Sequence, residues 1–217
     1  MLLFLAPWGR KELLLSFLLW AATGAGLFLI HPAAVALPAI LLLWTLWFFR
    51  DPERPIPGDP GLLVSPADGT VTEVSSLPRV EWIEEPALRI GIFLSIFNVH
   101  VNRSPCDGVV KATRYAPGKF LDARDPRSGE LNESNAILLE RADGPIVVRQ
   151  VAGKIARRIV CAVRENDRLE RGQRIGMIKF GSRTELWVPA GAGCACRVKG
   201  GESVRGGATV LGVVEGP

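Results

Sequence analysis

Histidine, tyrosine and cysteine are scarce in this sequence: two, one and four residues among 217. His31 and His100 lie far apart, and no two cysteines form a Cys-x-x-Cys pair, so a Cys/His zinc centre is not expected and no metal ligands are assigned. Lysine and arginine are scattered, and Tyr115 is the single tyrosine, which argues against nucleic acid as a partner. No nucleotide-binding motif is recognisable. The net charge of +4 suits an anionic membrane surface better. Cys106, Cys161, Cys194 and Cys196 are expected to be small buried hydrophobes, with Cys194 and Cys196 on one face of a strand. Reduced thiols fit a cytoplasmic domain.

What is abundant is apolar residues, 48% of the chain, and the excess sits in the first fifty positions. Leu13 to Ile30 and Ala33 to Phe49 are uncharged runs broken at His31-Pro32. As helices each would span roughly 26 Å, just short of a ~30 Å hydrocarbon core. Pro32 is placed to open the second helix. Arg10 and Lys11 precede the pair, Arg50 and Arg54 follow it, and the turn carries no Lys or Arg. Residues 1–50 therefore read as a membrane-anchoring helical hairpin with both ends in the cytoplasm. A signal peptide fits less well, because more apolar chain follows where a cleavage site would stand. His31, at the turn, is expected to be exposed and without chemistry.

Residues 51–217 read differently. Pro and Gly cluster from Asp51 to Gly61, and short β-type runs follow: Gly69–Val74, Arg89–Leu94, Val109–Thr113, Ala136–Glu140, Ile146–Val151 and Ile155–Val163. The expected class is mainly β, a barrel or sandwich. An internal repeat supports it: Val163-x-x-x-Asp167-x-Leu169-x-x-Gly172 recurs as Val198-x-x-x-Glu202-x-Val204-x-x-Gly207. Two such units suggest the hammerhead hairpins of lipoyl carriers, but the turn tips, Asn166-Asp167 and Gly201-Glu202, hold no modifiable lysine.

Three segments could carry chemistry. Pro66-Ala67-Asp68-Gly69 alone is a turn. Phe93 to Pro105 contains His100, suited to proton transfer near neutral pH although a lone histidine is more often structural. Lys179 to Pro189 contains Gly181-Ser182, again an ordinary turn by itself; glycine does, however, tolerate the strained peptide that attack by a neighbouring hydroxyl requires.

Together these segments resemble the phosphatidylserine decarboxylase family in its short bacterial form. The likeness covers the apolar hairpin ending in Trp47-Phe48-Phe49-Arg50-Asp51-Pro52-Glu53-Arg54, then Ser65 to Gly69, then Phe93-Leu94-Ser95 through His100 to Pro105-Cys106-Asp107-Gly108, and last Phe180-Gly181-Ser182. It implies that the Ser182 hydroxyl attacks the Gly181 carbonyl and converts the amide to an ester. Elimination then leaves dehydroalanine, which loses ammonia to become a pyruvoyl group, the cofactor, at a new N-terminus. His100 is the implied base and Asp68 its orienter, as in a Ser-His-Asp triad. The implied products are a β chain, 1–181, and an α chain, 182–217, held together as a heterodimer, with any higher homo-oligomer left open. The pyruvoyl group would act as the electron sink while phosphatidylserine loses CO2 to give phosphatidylethanolamine at the cell membrane, with the catalytic domain on the cytoplasmic side.

Two departures stand out. The best-known members carry Leu-Gly-Ser-Thr at the cut, where this chain has Phe180-Gly181-Ser182-Arg183, and Arg183 is a candidate contact for the lipid phosphate or carboxylate. Longer members have a second histidine where this chain has Arg103. The alternatives are a non-catalytic, membrane-tethered carrier or adaptor barrel, and a decarboxylase of another serine-headed lipid.

Overall fold

The structure, a computed structural model, describes residues 5–80, 82–125, 127–154 and 158–214. The chain divides into two compact units, Met1–Glu53 and Arg54–Pro217.

In the first unit a 3-10 turn, Pro7–Gly9, leads into α1 (Arg10–Ile30). A second 3-10 turn, Pro32–Val35, leads into α2 (Ala36–Phe48). Pro32 thus opens a tight turn rather than α2 itself; proline suits such a first position because its missing N–H is one the turn leaves unpaired anyway. His31 caps that turn, its Nδ1 accepting from Ala33 N at 3.3 Å. The helices pack where side chains are small: a Cβ on Gly24 would lie 3.6 Å from the Pro38 ring. Leu15, Leu29 and Ile30 stay exposed. Pro7–Ile30 is long and apolar enough to cross a membrane, whereas Pro32–Phe48 is shorter.

The second unit is mainly β. Its elements are β1 (Leu62–Val64), β2 (Gly69–Leu77), β3 (Ala87–Leu94), β4 (Val101–Arg103), β5 (Gly108–Ala116), α3 (Ser128–Leu131), β6 (Ser134–Glu140) and β7 (Ile146–Val151). They continue with β8 (Arg158–Cys161), β9 (Arg168–Leu169), β10 (Arg174–Lys179), β11 (Ser182–Pro189), β12 (Cys194–Cys196), β13 (Ser203–Val204) and β14 (Val210–Val214). The expected run from Ile155 begins outside the described residues. An eight-stranded antiparallel sheet has the order β13-β2-β3-β11-β7-β6-β5-β9, and two three-stranded sheets have the orders β1-β14-β12 and β4-β10-β8. Ile90, Ile92, Ile137, Val148, Leu186 and Val188 belong to the main core. Cys106 is buried, but Cys161 and Cys194 are half-buried and Cys196 is exposed, so the expectation of buried thiols holds only at Cys106; β12 is a three-residue edge strand paired with β14 alone, which leaves Cys196 uncovered.

The sheets reveal two matching sets of elements. One set is β1, β2, β3, β11, β12, β13 and β14; the other is β4 to β10, with the same order and the same pairings. Ser65 Oγ donates to Ala67 O at 2.6 Å, and Ser104 Oγ donates to Cys106 O at 2.7 Å. Gly207 N donates to Ser65 O and Gly172 N to Ser104 O, each at 2.8 Å. These two glycines have φ of 78° and 79°, a backbone state that disfavours other residues. The second set is inserted between β3 and β11 of the first. The Gly181–Ser182 bond is therefore the junction where the inserted set ends and β11 begins, matching the end of the short turn 141–145 that leads into β7.

Candidate active site

Ser182 opens β11, a central strand paired with β3 on one side and β7 on the other. Strand alternation turns Ser182, Thr184 and Leu186 toward the core and Arg183, Glu185 and Trp187 toward the opposite face. The Ser182 side chain is fully buried, and its Oγ makes no hydrogen bond. A buried hydroxyl without a partner is unfavourable, and this one adjoins a backbone of unusual geometry. Phe180 has φ 68°, a left-handed conformation uncommon for a side chain of its bulk, and Gly181 has φ 22°. The Gly181 carbonyl oxygen lies so close to Gly153 that any Cβ there would collide with it. Nothing in the sequence around Gly153 announces this role.

Beside the bond is a pocket of about 340 Å³, lined by Phe93, Ile96, Asp122, Arg124, Lys154 and Gly181 among others. Hydrogen bonds from Arg124 hold Asp122 down at about 2. Phe97, next to Ile96 on the loop after β3, is 63% exposed.

His100 is fully buried, and its backbone O accepts from Ile178 N at 3.2 Å, four residues before Ser182. Its Nδ1 is 3.0 Å from Asn98 O. A carbonyl only accepts, so Nδ1 carries the proton in this contact, and in the neutral ring the lone pair is then on Nε2. Asp68 makes other bonds: Oδ1 and Oδ2 accept from Arg54 at 2.6 and 2.7 Å, and Oδ1 accepts from Gly206 N at 2.8 Å. Asp107, its counterpart in the second set, likewise accepts from Arg171 N at 2.8 Å. The backbone clamp is thus common to both sets, and the Arg54 pair belongs to Asp68.

A buried polar chain crosses the interior behind Ser182. Asn135 donates to Gln150 at 3.1 Å, Gln150 to Asn102 at 2.9 Å, and Asn102 to Thr184 at 3.0 Å. Arg183 points to the other face, where Gly91 leaves room for its guanidinium. It is 3% exposed and donates to Glu185 and Glu73, each at 2.7 Å. Burial pushes Glu73 up, but hydrogen bonds from Arg183, Ser75 and Arg89 outweigh it and hold Glu73 at about 2. Arg183, a candidate for a lipid contact, is tied in this structure to carboxylates inside the protein. Arg103, at the position of the second histidine of longer members, is buried and donates to Gly172 O at 3.1 Å.

Residues 41–212 match the family model described as phosphatidylserine decarboxylase. The chain belongs to the phosphatidylserine decarboxylase family. Curated relatives named phosphatidylserine decarboxylase proenzyme are similar over most of both chains. That of Symbiobacterium thermophilum is 48% identical over 84% of this chain and 85% of the relative. That of Syntrophus aciditrophicus is 47% identical over 81% and 82%, and that of Desulfotalea psychrophila 46% over 79% of each. Membership of a decarboxylase family sets aside the carrier or adaptor alternative. The matched region contains Asp68, His100, Gly181 and Ser182.

Proposed function

We propose that this chain cuts itself between Gly181 and Ser182, giving chains 1–181 and 182–217, and then converts phosphatidylserine to phosphatidylethanolamine and CO2. The observation that carries this reading is the buried, unbonded Ser182 Oγ beside a left-handed Phe180-Gly181 peptide. A nucleophile with no competing hydrogen bond, adjoining a carbonyl held against Gly153, suits attack within the chain. The same buried position suits a pyruvoyl group made from Ser182, with the pocket beside Gly181 to admit the lipid headgroup. When present, that group supplies the electron sink for loss of CO2.

His100 is proposed as the base, acting through Nε2 and oriented by Asn98 O. The Asn102–Thr184 bond supports this placement, since those residues lie two positions beyond His100 and Ser182 in the chain. Asp68 is proposed to hold the turn before β2 in place through Arg54 and Gly206 rather than to touch His100. Lys154 and Arg124 offer positive charge to an anionic headgroup, and exposed Phe97, beside half-buried Ile96, offers the apolar contact a lipid surface would take. Residues 1–50 are proposed as the membrane anchor, with residues 51–217 on the cytoplasmic side. The matched hairpins of the two sets are proposed to be of the lipoyl-like kind.

A mass spectrum of fragment 182–217 tests this directly. A pyruvoyl terminus is expected in place of serine, together with decarboxylation of phosphatidylserine in vesicles. A chain that stays whole after purification from its own host, as Ser182→Ala must, would remove the proposal.

A further inference from the structure

Asn102, Gln150 and Thr184 are fully buried and Asn135 nearly so, and together they form the polar chain behind Ser182. Taking such groups out of water offsets most of what their hydrogen bonds return, so apolar side chains of like shape serve a core about as well. The fold itself supplies that comparison, because its two sets of strands repeat the same pairings. Asn102 stands two residues before Ser104, as Leu63 does before Ser65. Thr184 pairs with Ile92 and Ile146 with Leu139, and those partners pair with Val71 and Val110, each three residues after the matched Asp68 or Asp107. Four residues further on are Val188, paired with Leu88, and Gln150, paired with Asn135. The counterparts of Asn102, Thr184, Gln150 and Asn135 are therefore Leu63, Ile146, Val188 and Leu88.

All four counterparts are apolar. Leu63, Ile146 and Val188 belong to the main core and Leu88 packs against it, so the same fold is built with hydrocarbon at each of these places. What sets the polar chain apart is what it adjoins. Asn102 and Thr184 lie two residues beyond His100 and Ser182, whereas Leu63 and Ile146 lie two residues beyond Gly61 and Gly144. The polar version thus occurs where the chemistry is, and the apolar version where there is none.

The strands concerned lie in different sheets: β4 beside β10, and β11 between β3 and β7. No ladder sets one against the other. Asn102 Nδ2 crosses between them to Thr184 Oγ1, and Asn102 Oδ1 accepts from Gln150 Nε2. Gln150 in turn is held by Asn135 at 3.1 Å and by Val160 O at 3.3 Å. An amide bonded at both its oxygen and its nitrogen is fixed in direction as well as place, which apolar contact alone does not achieve. We propose that Asn102, Gln150 and Thr184 are positioning residues for self-cleavage, holding the His100 strand in register with Ser182. The inference rests on the cut proposed above, with His100 as its base. A displacement of about 1 Å between reacting groups slows such a step roughly a hundredfold, so register of this kind is felt directly in the rate.

The test is a full-length chain carrying the apolar counterparts: Asn102→Leu, Thr184→Ile, Gln150→Val and Asn135→Leu together. Its folding is read from a thermal melt in the Ser182→Ala background, and its self-cleavage from a time course of precursor synthesised in vitro. A folded chain cut at least about tenfold more slowly than the unmodified one is expected. A folded chain cut at the unmodified rate overturns the proposal, because the network then serves the fold alone. Should the fourfold exchange not fold, Thr184→Val and Thr184→Ser decide. Thr184→Val keeps the shape, loses the hydroxyl and is expected to be cut at least about tenfold more slowly, and Thr184→Ser, which keeps the hydroxyl, is expected to rescue cutting. Equal rates in those two variants overturn the proposal. An unmodified precursor that stays whole would instead remove the self-cleavage reading itself, so the two failures are told apart.

Discussion

Gly153→Ala is the most direct probe of how the cut is arranged. A Cβ at this position would meet the Gly181 carbonyl oxygen and come within 3.1 Å of its carbon, with Ala123 Cβ at 3.3 Å on another side. Both sides are closed, so the methyl group fits only if the scissile carbonyl moves. Overpacking of this kind costs about 1–3 kcal/mol. If that displacement is felt in the transition state for attack, each ~1.4 kcal/mol slows the step about tenfold, so self-cleavage should slow roughly 5- to 150-fold. The assay is a time course of precursor synthesised in vitro, followed on a denaturing gel. Gly200→Ala is the control, since nothing lies within 4 Å of the position its methyl would take. Cleavage of Gly153→Ala at the unmodified rate, or equal slowing in Gly200→Ala, would refute the placement of the Gly181 carbonyl.

Other outcomes follow from the same geometry. His100→Ala should accumulate uncut precursor on a gel; efficient cutting would remove it as the base. Arg183→Thr should still be cut, but should lose roughly 3 kcal/mol of stability in a denaturant titration, as when one partner of a buried ion pair is deleted. Glu73 is depressed in the folded state, from an ordinary value near 4.5 to about 2, so its contribution is complete above about pH 4.5 and fades as pH falls toward 2. Thermal melts across that window should show the loss, and Arg183→Thr, which lets the folded value rise toward 4.5, should make it smaller. Asn102→Ala should cost about 1–3 kcal/mol, because Gln150 and Thr184 are left buried with a bond unmade.

Much of this was legible in the chain. Period-2 runs located β2, β3, β5, β6 and β7, because each buries one face over enough residues to leave a pattern. β1, β9 and β13 are two or three residues long, too short for any period to register. The repeat at Val163 and Val198 was readable, and its companion, Ser65-Pro66-x-Asp68-Gly69 against Ser104-Pro105-x-Asp107-Gly108, was equally open to view. Reading that pair would have marked the Asp68 clamp as a shared structural device. The direction of Arg183 also followed from parity: if Ser182 faces the core, its neighbour faces away, on the side of Glu185. Gly153 left no trace, since its importance depends on a carbonyl 28 positions later in the chain that only the fold brings near.

The insertion of one set of strands into the other has a consequence for assembly. β11 is paired along all eight of its residues with β3 and along five with β7. While the chain is whole, threading that strand into mid-sheet is an internal loop closure, whose entropic cost grows only slowly with length. With the bond before Ser182 cut as proposed, the same event would join two molecules and lose translational freedom as well. Folding must therefore precede the cut. The mature enzyme, once unfolded and diluted, should not re-form, whereas uncut Ser182→Ala should return to its fold unaided. On the proposed cut, the peptide bond given up for the chemistry is also the tether by which the sheet was built, and maturation would make assembly a one-way process.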